Sequence, residues 1–172
     1  MEIKPSLPLL AAIEAEYIKS TQWIPWADFI IQTMDEPPMW VIDLSLSSDY
    51  EKAYAAIAPD TKSDHDFKSN DLPELALGFI YLRFLEGDVS LKKFLFLAGD
   101  YTDPSDCSID CEYFYDHLNN LESSNNSKTE LKIIADIENQ LKKKIDLAKR
   151  GRLLFKEITE QRPAPDGQGR GV

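Results

Sequence analysis

Apolar residues along this chain recur mostly at intervals of three and four, the spacing of an amphipathic α-helix. The first helix is predicted from Ser6 to Lys19. Pro8 is tolerated in its first turn, because the N–H that proline lacks has no helical partner there. A short second helix is predicted from Pro25 to Met34, and a third from Met39 to Leu46.

Further along the chain, helix starts are marked by capping sequences. Ser48 and Glu51 have the spacing of a capping box, which predicts a helix ending near Ala58. Residues 59–71 are the most polar interior stretch and are predicted as a loop. A further such signal, Ser127 with Glu130, predicts that the longest helix runs from there to Thr159.

The most apolar predicted helix spans Pro73 to Glu86, and its apolar residues on nearly all sides predict a central position in the core. The next helix, 91–98, is predicted to be capped by Ser90 and to stop at Gly99, where a C′ glycine belongs. A further helix is predicted from Ile109 to Leu121.

The fold class that follows is all-α. Only seven glycines occur, three of them in the last six residues, and no Asn-Gly or Asp-Gly turn lies between alternating runs. We predict one domain over residues 1–161, a bundle of six to eight helices with a long C-terminal helix. Residues 162–172 are predicted to form a disordered tail.

The charge is strongly acidic and unevenly spread. Thirty acids and nineteen bases give a formal net charge of −11, which repels nucleic acid and anionic membranes. Residues 1–127 hold 23 acids and 8 bases, whereas residues 128–172 hold 7 acids and 11 bases. The bases of the last helix are interpreted as a solvated face: Lys142, Lys143, Lys144, Lys149, Arg150, Arg152 and Lys156.

Neither end of the chain indicates a membrane protein. No apolar run approaches the roughly 20 residues that span a bilayer. Glu14 and Glu16 directly follow the apolar N-terminal stretch, which therefore differs from a signal peptide. We expect a cytoplasmic protein with no membrane or nucleic-acid partner.

The metal-ligating residue types are few. Cys107 and Cys111 would share one face if their segment were helical, and they are interpreted as reduced, mostly buried thiols. With His117 they would lack the second ligand pair of a zinc site. Lys62 and His65 break the calcium-loop pattern in the acidic stretch that contains them. No metal and no cofactor are predicted.

Catalytic signatures are equally scarce. The chain has no P-loop, no Gly-x-Gly-x-x-Gly, no Gly-x-Ser-x-Gly and no His-Glu-x-x-His. Asp116 and His117 are adjacent on a predicted helix, so their side chains point about 100° apart rather than forming a triad. We assign no catalytic residue, although thirty acids leave a paired-carboxylate enzyme open.

The most unusual composition is a cluster of tryptophan and proline. All three tryptophans lie in Trp23-Ile-Pro-Trp26 and Pro37-Pro-Met-Trp40, among several acids. One interpretation is a rigid aromatic corner packed in the core. The other is a recognition surface for a basic protein, since tryptophan is enriched at interface hot spots. Its candidate residues are Trp23, Trp26, Asp28, Asp35, Glu36, Trp40 and Asp43.

Three segments carry a resemblance: Trp26-Ala-Asp-Phe-Ile-Ile, Pro37-Pro-Met-Trp40 and Cys111-Glu-Tyr-Phe-Tyr-Asp-His-Leu. They resemble segments of small helical bacterial proteins of unknown function, some of which are similar to immunity proteins of toxin systems. The resemblance covers a small part of the chain. It implies an all-α domain and a protein partner, and it carries no catalytic residue.

Three functions follow from these observations. The leading hypothesis is a non-enzymatic binding module, of the immunity or inhibitor type, that occludes a basic partner's site with an acidic, aromatic surface. The first alternative is a small metal-dependent or acid/base hydrolase, which requires a cleft where carboxylates converge. The second is a structural or regulatory subunit, which requires an exposed apolar stripe along Leu141, Ile145 and Ala148.

Overall fold

The computed structural model of this chain describes residues 6–62, 68–69, 71–124 and 126–155. This part of the chain contains eight α-helices and no strand, which confirms the all-α bundle and its long last helix. The helices are α1 (Ser6–Glu14), α2 (Ser20–Thr33), α3 (Met39–Ser45), α4 (Tyr50–Lys62), α5 (Asp71–Leu85), α6 (Leu91–Thr102), α7 (Cys111–Ser123) and α8 (Ser127–Leu154).

The central helix is α5, as its apolar sequence predicts. Every residue from Leu75 to Leu82 is buried, and α1, α6 and α8 pack around it. The apolar stripe of α8, which includes Leu141, Ile145 and Ala148, is buried in the core. This stripe stabilises the bundle itself, because burying a large aliphatic side chain contributes roughly 1.5–3 kcal/mol.

The remaining helices extend outward from this centre. α4 packs on α1, α7 packs on α6, and α3 packs on α4. α2 packs chiefly against α3 and is therefore the outermost helix. The buried apolar residues nonetheless form one cluster that draws on all eight helices.

The predicted boundary between the first two helices is wrong. α1 ends at Glu14 rather than Lys19, because the chain turns at Glu16, which has a φ of 53° in the left-handed region. α2 then begins at Ser20, and the side chain of Gln22 accepts a hydrogen bond of 3.1 Å from the backbone N–H of Lys19.

Three residues that usually mark helix ends, two prolines and one glycine, instead lie inside helices. Pro25 and Pro59 both lie inside helices, and both are exposed, where water can bond the carbonyl that loses its donor. α4 therefore reaches Lys62 rather than Ala58. Gly99 lies within α6, which continues to Thr102. A Cβ at Gly99 would lie 2.8 Å from the Tyr115 ring, so this glycine permits close approach of α7.

Each of the three helix starts predicted from a serine cap is capped, but at two of them the capping residue is a neighbour of the predicted serine. Ser90 caps α6 as predicted, accepting from the N–H of Lys93 at 3.2 Å. Asp49, not Ser48, accepts from the N–H of Lys52 at 3.0 Å at the start of α4. Asn126, not Ser127, caps α8 by accepting from the N–H of Lys128 at 3.0 Å.

The C-terminal helix ends at Leu154 rather than Thr159. The predicted tail, residues 162–172, and the predicted domain end at residue 161 lie outside the described residues, as does His65. Across the described ranges, no helix combines the length and the apolar character needed to cross a membrane.

Candidate protein-binding surface

The tryptophan-rich segment folds into a pair of helices that we call the α2–α3 hairpin, formed by α2, residues 34–38 and α3. Only Trp23 and Ala27 of α2 are buried. The Trp23 indole Nε1–H donates a 2.9 Å hydrogen bond to the carbonyl of Ser47, beyond the end of α3. Trp23 therefore fixes the hairpin to the bundle and does not itself reach the surface.

The other two tryptophans join the helices of the hairpin. Trp26 of α2 and Trp40 of α3 stack with ring centroids 6.2 Å apart and an interplanar angle of 28°. Both are half-buried. Contact between two such large rings holds α2 against α3 and leaves part of each ring exposed.

The predicted acidic residues all lie on the hairpin and are exposed: Asp28, Asp35, Glu36 and Asp43. Asp35 and Glu36 occupy the turn between the helices, just before Pro37-Pro38. Between Ser20 and Glu51 the chain carries six acids and no lysine, arginine or histidine. The surface of the hairpin is therefore uniformly negative.

Sequence analysis missed four exposed apolar side chains of this region. Phe29 is 47% exposed, Met34 45%, Met39 69% and Leu46 77%. For Phe29 the available signal is the composition of α2, whose apolar residues cover more than the single face that packs on α3. Clustered exposed apolar residues mark interaction sites.

The acid/base alternative requires a cleft in which carboxylates converge. α1, α5 and α6 border a cavity of about 380 Å³ whose lining includes Glu14, Arg83, Asp100 and Tyr101. Burial raises the pKa of Glu14, although the Tyr101 hydroxyl, which donates to Oε1 at 3.0 Å, opposes this effect. Oε2 is buried without a partner. That oxygen is therefore shielded from solvent.

Glu14→Gln is expected to stabilise the protein at neutral pH. Because the pKa of Glu14 is raised in the folded state, folding favours the protonated carboxyl group. The free energy of unfolding of wild type therefore falls as the pH rises from the pKa of the unfolded state through the pKa of the folded state. The amide keeps an acceptor for Tyr101 and removes the charge. We expect a Tm higher by about 2 °C at pH 7, and no difference near pH 4, measured by calorimetry across pH. An unchanged or lower Tm at pH 7 would contradict this.

His117 contacts a different carboxylate from its sequence neighbour. Its Nε2 lies 3.0 Å from Oδ2 of Asp136 on α8, and the Tyr113 hydroxyl donates to the same oxygen at 2.8 Å. Asp116 is exposed. The arrangement links α7 to α8 and agrees with the absence of triad geometry between Asp116 and His117.

The two cysteines do not share a helix face. Cys107 lies in the loop before α7, and Cys111 is the first residue of α7. Both are free and half-buried. Among the described residues, no group of three or more histidine, cysteine, aspartate or glutamate side chains is placed to hold a metal ion.

The surface required by the structural-subunit alternative is not exposed. Leu141 and Ala148 are fully buried, and Ile145 is 6% exposed. α8 packs this stripe onto α5 and α1 of its own chain. It therefore offers no apolar stripe to another subunit along these residues.

The fold and the candidate surface together define a small all-α bundle with an acidic, apolar hairpin at its edge. No protein family, curated protein or solved structure matches this chain.

Proposed function

We propose that this protein is a non-enzymatic binding module, of the immunity or inhibitor type, that uses the α2–α3 hairpin to occlude a site on a basic partner. The observation that carries the proposal is the exposure of Phe29, Met34 and Met39 on a hairpin that has no basic residue. Exposed apolar side chains supply contact area, and the surrounding carboxylates select against acidic proteins.

The arrangement of the hairpin also favours a preformed binding surface. The Trp26–Trp40 stack and the Trp23–Ser47 hydrogen bond hold both helices in place before any partner arrives. Little conformational freedom is then lost on binding, which favours affinity. The same negative charge accelerates encounter with a basic protein, and this acceleration declines with salt.

Capture from a lysate of the source cells tests the proposal when matched variants are compared. Wild type is expected to retain a basic protein stoichiometrically at low salt and less of it at high salt. The double substitution D35K/E36K should reduce retention at least about ten-fold, because like charges then face the partner. E112K/D116K makes the same charge change on exposed positions of α7 and should retain the partner as wild type does.

The apolar contribution is tested separately. F29A/M39A removes two exposed side chains and should weaken binding about ten-fold or more without lowering Tm, since neither residue supports the core. L131A, at a 67% exposed position on α8, is the matched control. The proposal fails if no stoichiometric partner is retained at either salt, or if hairpin and control variants retain it equally.

A further inference from the structure

The end of α8 carries a surface opposite in charge to the hairpin. Lys142, Lys143, Lys149 and Arg150 are exposed and recur at helical spacing, so they share one face of the helix. Asp146 is the one acid among them, which leaves a net charge of +3 on this face. We call these five residues, with Leu153 and Leu154 at the end of the face, the basic end of α8.

The basic end also exposes apolar side chains next to a depression. Leu153 is 67% exposed and Leu154 is 44% exposed. Lys149, Arg150 and Leu153 border a shallow depression of about 430 Å³. The turn of the hairpin carries Met34 and Met39 next to Asp35 and Glu36 in the sequence, and all four side chains are exposed.

Within one molecule, among the described residues, no salt bridge joins Asp35 or Glu36 to the basic end of α8. Gln22, in the first turn of α2, lines the same cleft as Arg152 near the end of α8. α2 has 14 residues and is therefore about 21 Å long. Its far end, which carries the turn with Asp35 and Glu36, lies roughly that distance from the cleft.

We propose that the turn of the α2–α3 hairpin in one copy of this protein docks onto the basic end of α8 in a second copy. Carboxylates meet ammonium and guanidinium groups, and the exposed methionines meet Leu153 and Leu154. The two patches differ, so the contact is heterologous and leaves one free hairpin and one free basic end in each pair. The occupant of the hairpin is thus a second copy whenever no basic partner is present.

The proposal goes beyond the binding of a foreign partner and does not depend on it. Pairing two hairpins with each other is disfavoured, because each has only acidic residues in its charged positions. The head-to-tail contact instead joins opposite charges that are exposed in the single chain. Desolvation of the apolar side chains adds to it without requiring any change of fold.

Sedimentation velocity of the purified full chain tests the contact. At high micromolar concentration we expect species larger than the monomer in about 50 mM salt and dissociation in about 500 mM salt, where charges are screened within a few ångströms. D35K/E36K and K149E/R150E should each be monomeric at the same concentration. K128E/K132E reverses two exposed lysines at the other end of α8 and should associate as wild type does.

Mixing the two monomeric variants separates this contact from general loss of solubility or folding. An equimolar mixture of D35K/E36K with K149E/R150E should associate, because each variant supplies the complement of the other's altered surface. Wild type that stays monomeric in low salt overturns the proposal, and so does association that survives either double substitution or a mixture that remains monomeric. None of these results depends on identifying a foreign partner.

Discussion

Gly78→Ala is expected to destabilise the protein by about 2–3 kcal/mol, although alanine is the better helix former. Gly78 lies in the buried centre of α5, where the backbone of α8 passes closest. A Cβ there would lie 2.9 Å from the carbonyl carbon of Lys144 and 3.0 Å from the Cβ of Ala148. The obstacle is backbone, which cannot rotate away, so α5 and α8 would have to separate.

Urea unfolding followed by circular dichroism measures this effect, and Gly99→Ala is the matched control. Gly99 also lies in a buried helix interior, but its Cβ would meet the ring of Tyr115, a half-buried side chain that can shift. The gain in helix propensity of roughly 1 kcal/mol then offsets most of the crowding. Equal effects at the two glycines would contradict the proposed close approach of α5 and α8.

The second large effect is expected at a buried ion pair between the same two helices. Lys144 Nζ lies 2.6 Å from Oε2 of Glu74, and their side chains are 10% and 16% exposed. Ser108 completes the group, donating its N–H to Oε1 of Glu74 at 2.6 Å and accepting from Lys144 at 3.1 Å. The pair therefore also attaches the loop before α7 to the centre of the bundle.

Glu74→Gln should destabilise the protein by about 3 kcal/mol at pH 7, because it leaves the buried ammonium of Lys144 without its counter-charge. Burial alone would raise the pKa of Glu74, but the hydrogen bonds from Lys144 and Ser108 together outweigh it and lower the pKa. A carboxyl group with a lowered pKa stabilises the folded state fully at pH values above its pKa in the unfolded state. This stabilisation is lost as the pH falls through its pKa in the folded state. The difference between wild type and E74Q should therefore shrink in acid.

A double-mutant cycle with K144M measures the coupling between the two groups. The double variant E74Q/K144M should be less destabilised than the sum of the single variants, since neither buried charge remains unpaired. E122Q breaks the exposed pair of Glu122 with Lys92 and should change stability by less than about 1 kcal/mol. If the losses in unfolding free energy of E74Q and K144M were additive, the two groups would not be coupled. If E74Q and E122Q lost equal unfolding free energy, the buried pair would contribute no more than the exposed pair.

The central architecture could be predicted because it depends on local sequence signals. α5 is apolar on all sides and lies in the core for that reason, and Ser90 caps α6 through a contact three residues away. Signals that depend on distant parts of the chain could not be interpreted in this way. Gly99 has the local sequence pattern of a helix end, yet it lies inside α6 and leaves room for the ring of Tyr115 from α7.

The candidate surface was predicted only in part for the same reason. Asp28, Asp35, Glu36 and Asp43 are exposed as acidic residues usually are, whereas the burial of Trp23 depends on the carbonyl of Ser47. Lys144 belonged to the predicted solvated face of α8 but is buried against Glu74. The exposure of Met39, the first residue of α3, is not indicated by any sequence period.

The peripheral position of α2 has a consequence for how this protein can diverge. Only Trp23 and Ala27 of α2 are buried, so its outward positions contribute little to the packing of the other helices. Substitutions there are therefore expected to be tolerated by the fold. Under the proposed function, a lineage can change what the hairpin binds, residue by residue, while α5 and α8 keep the same bundle.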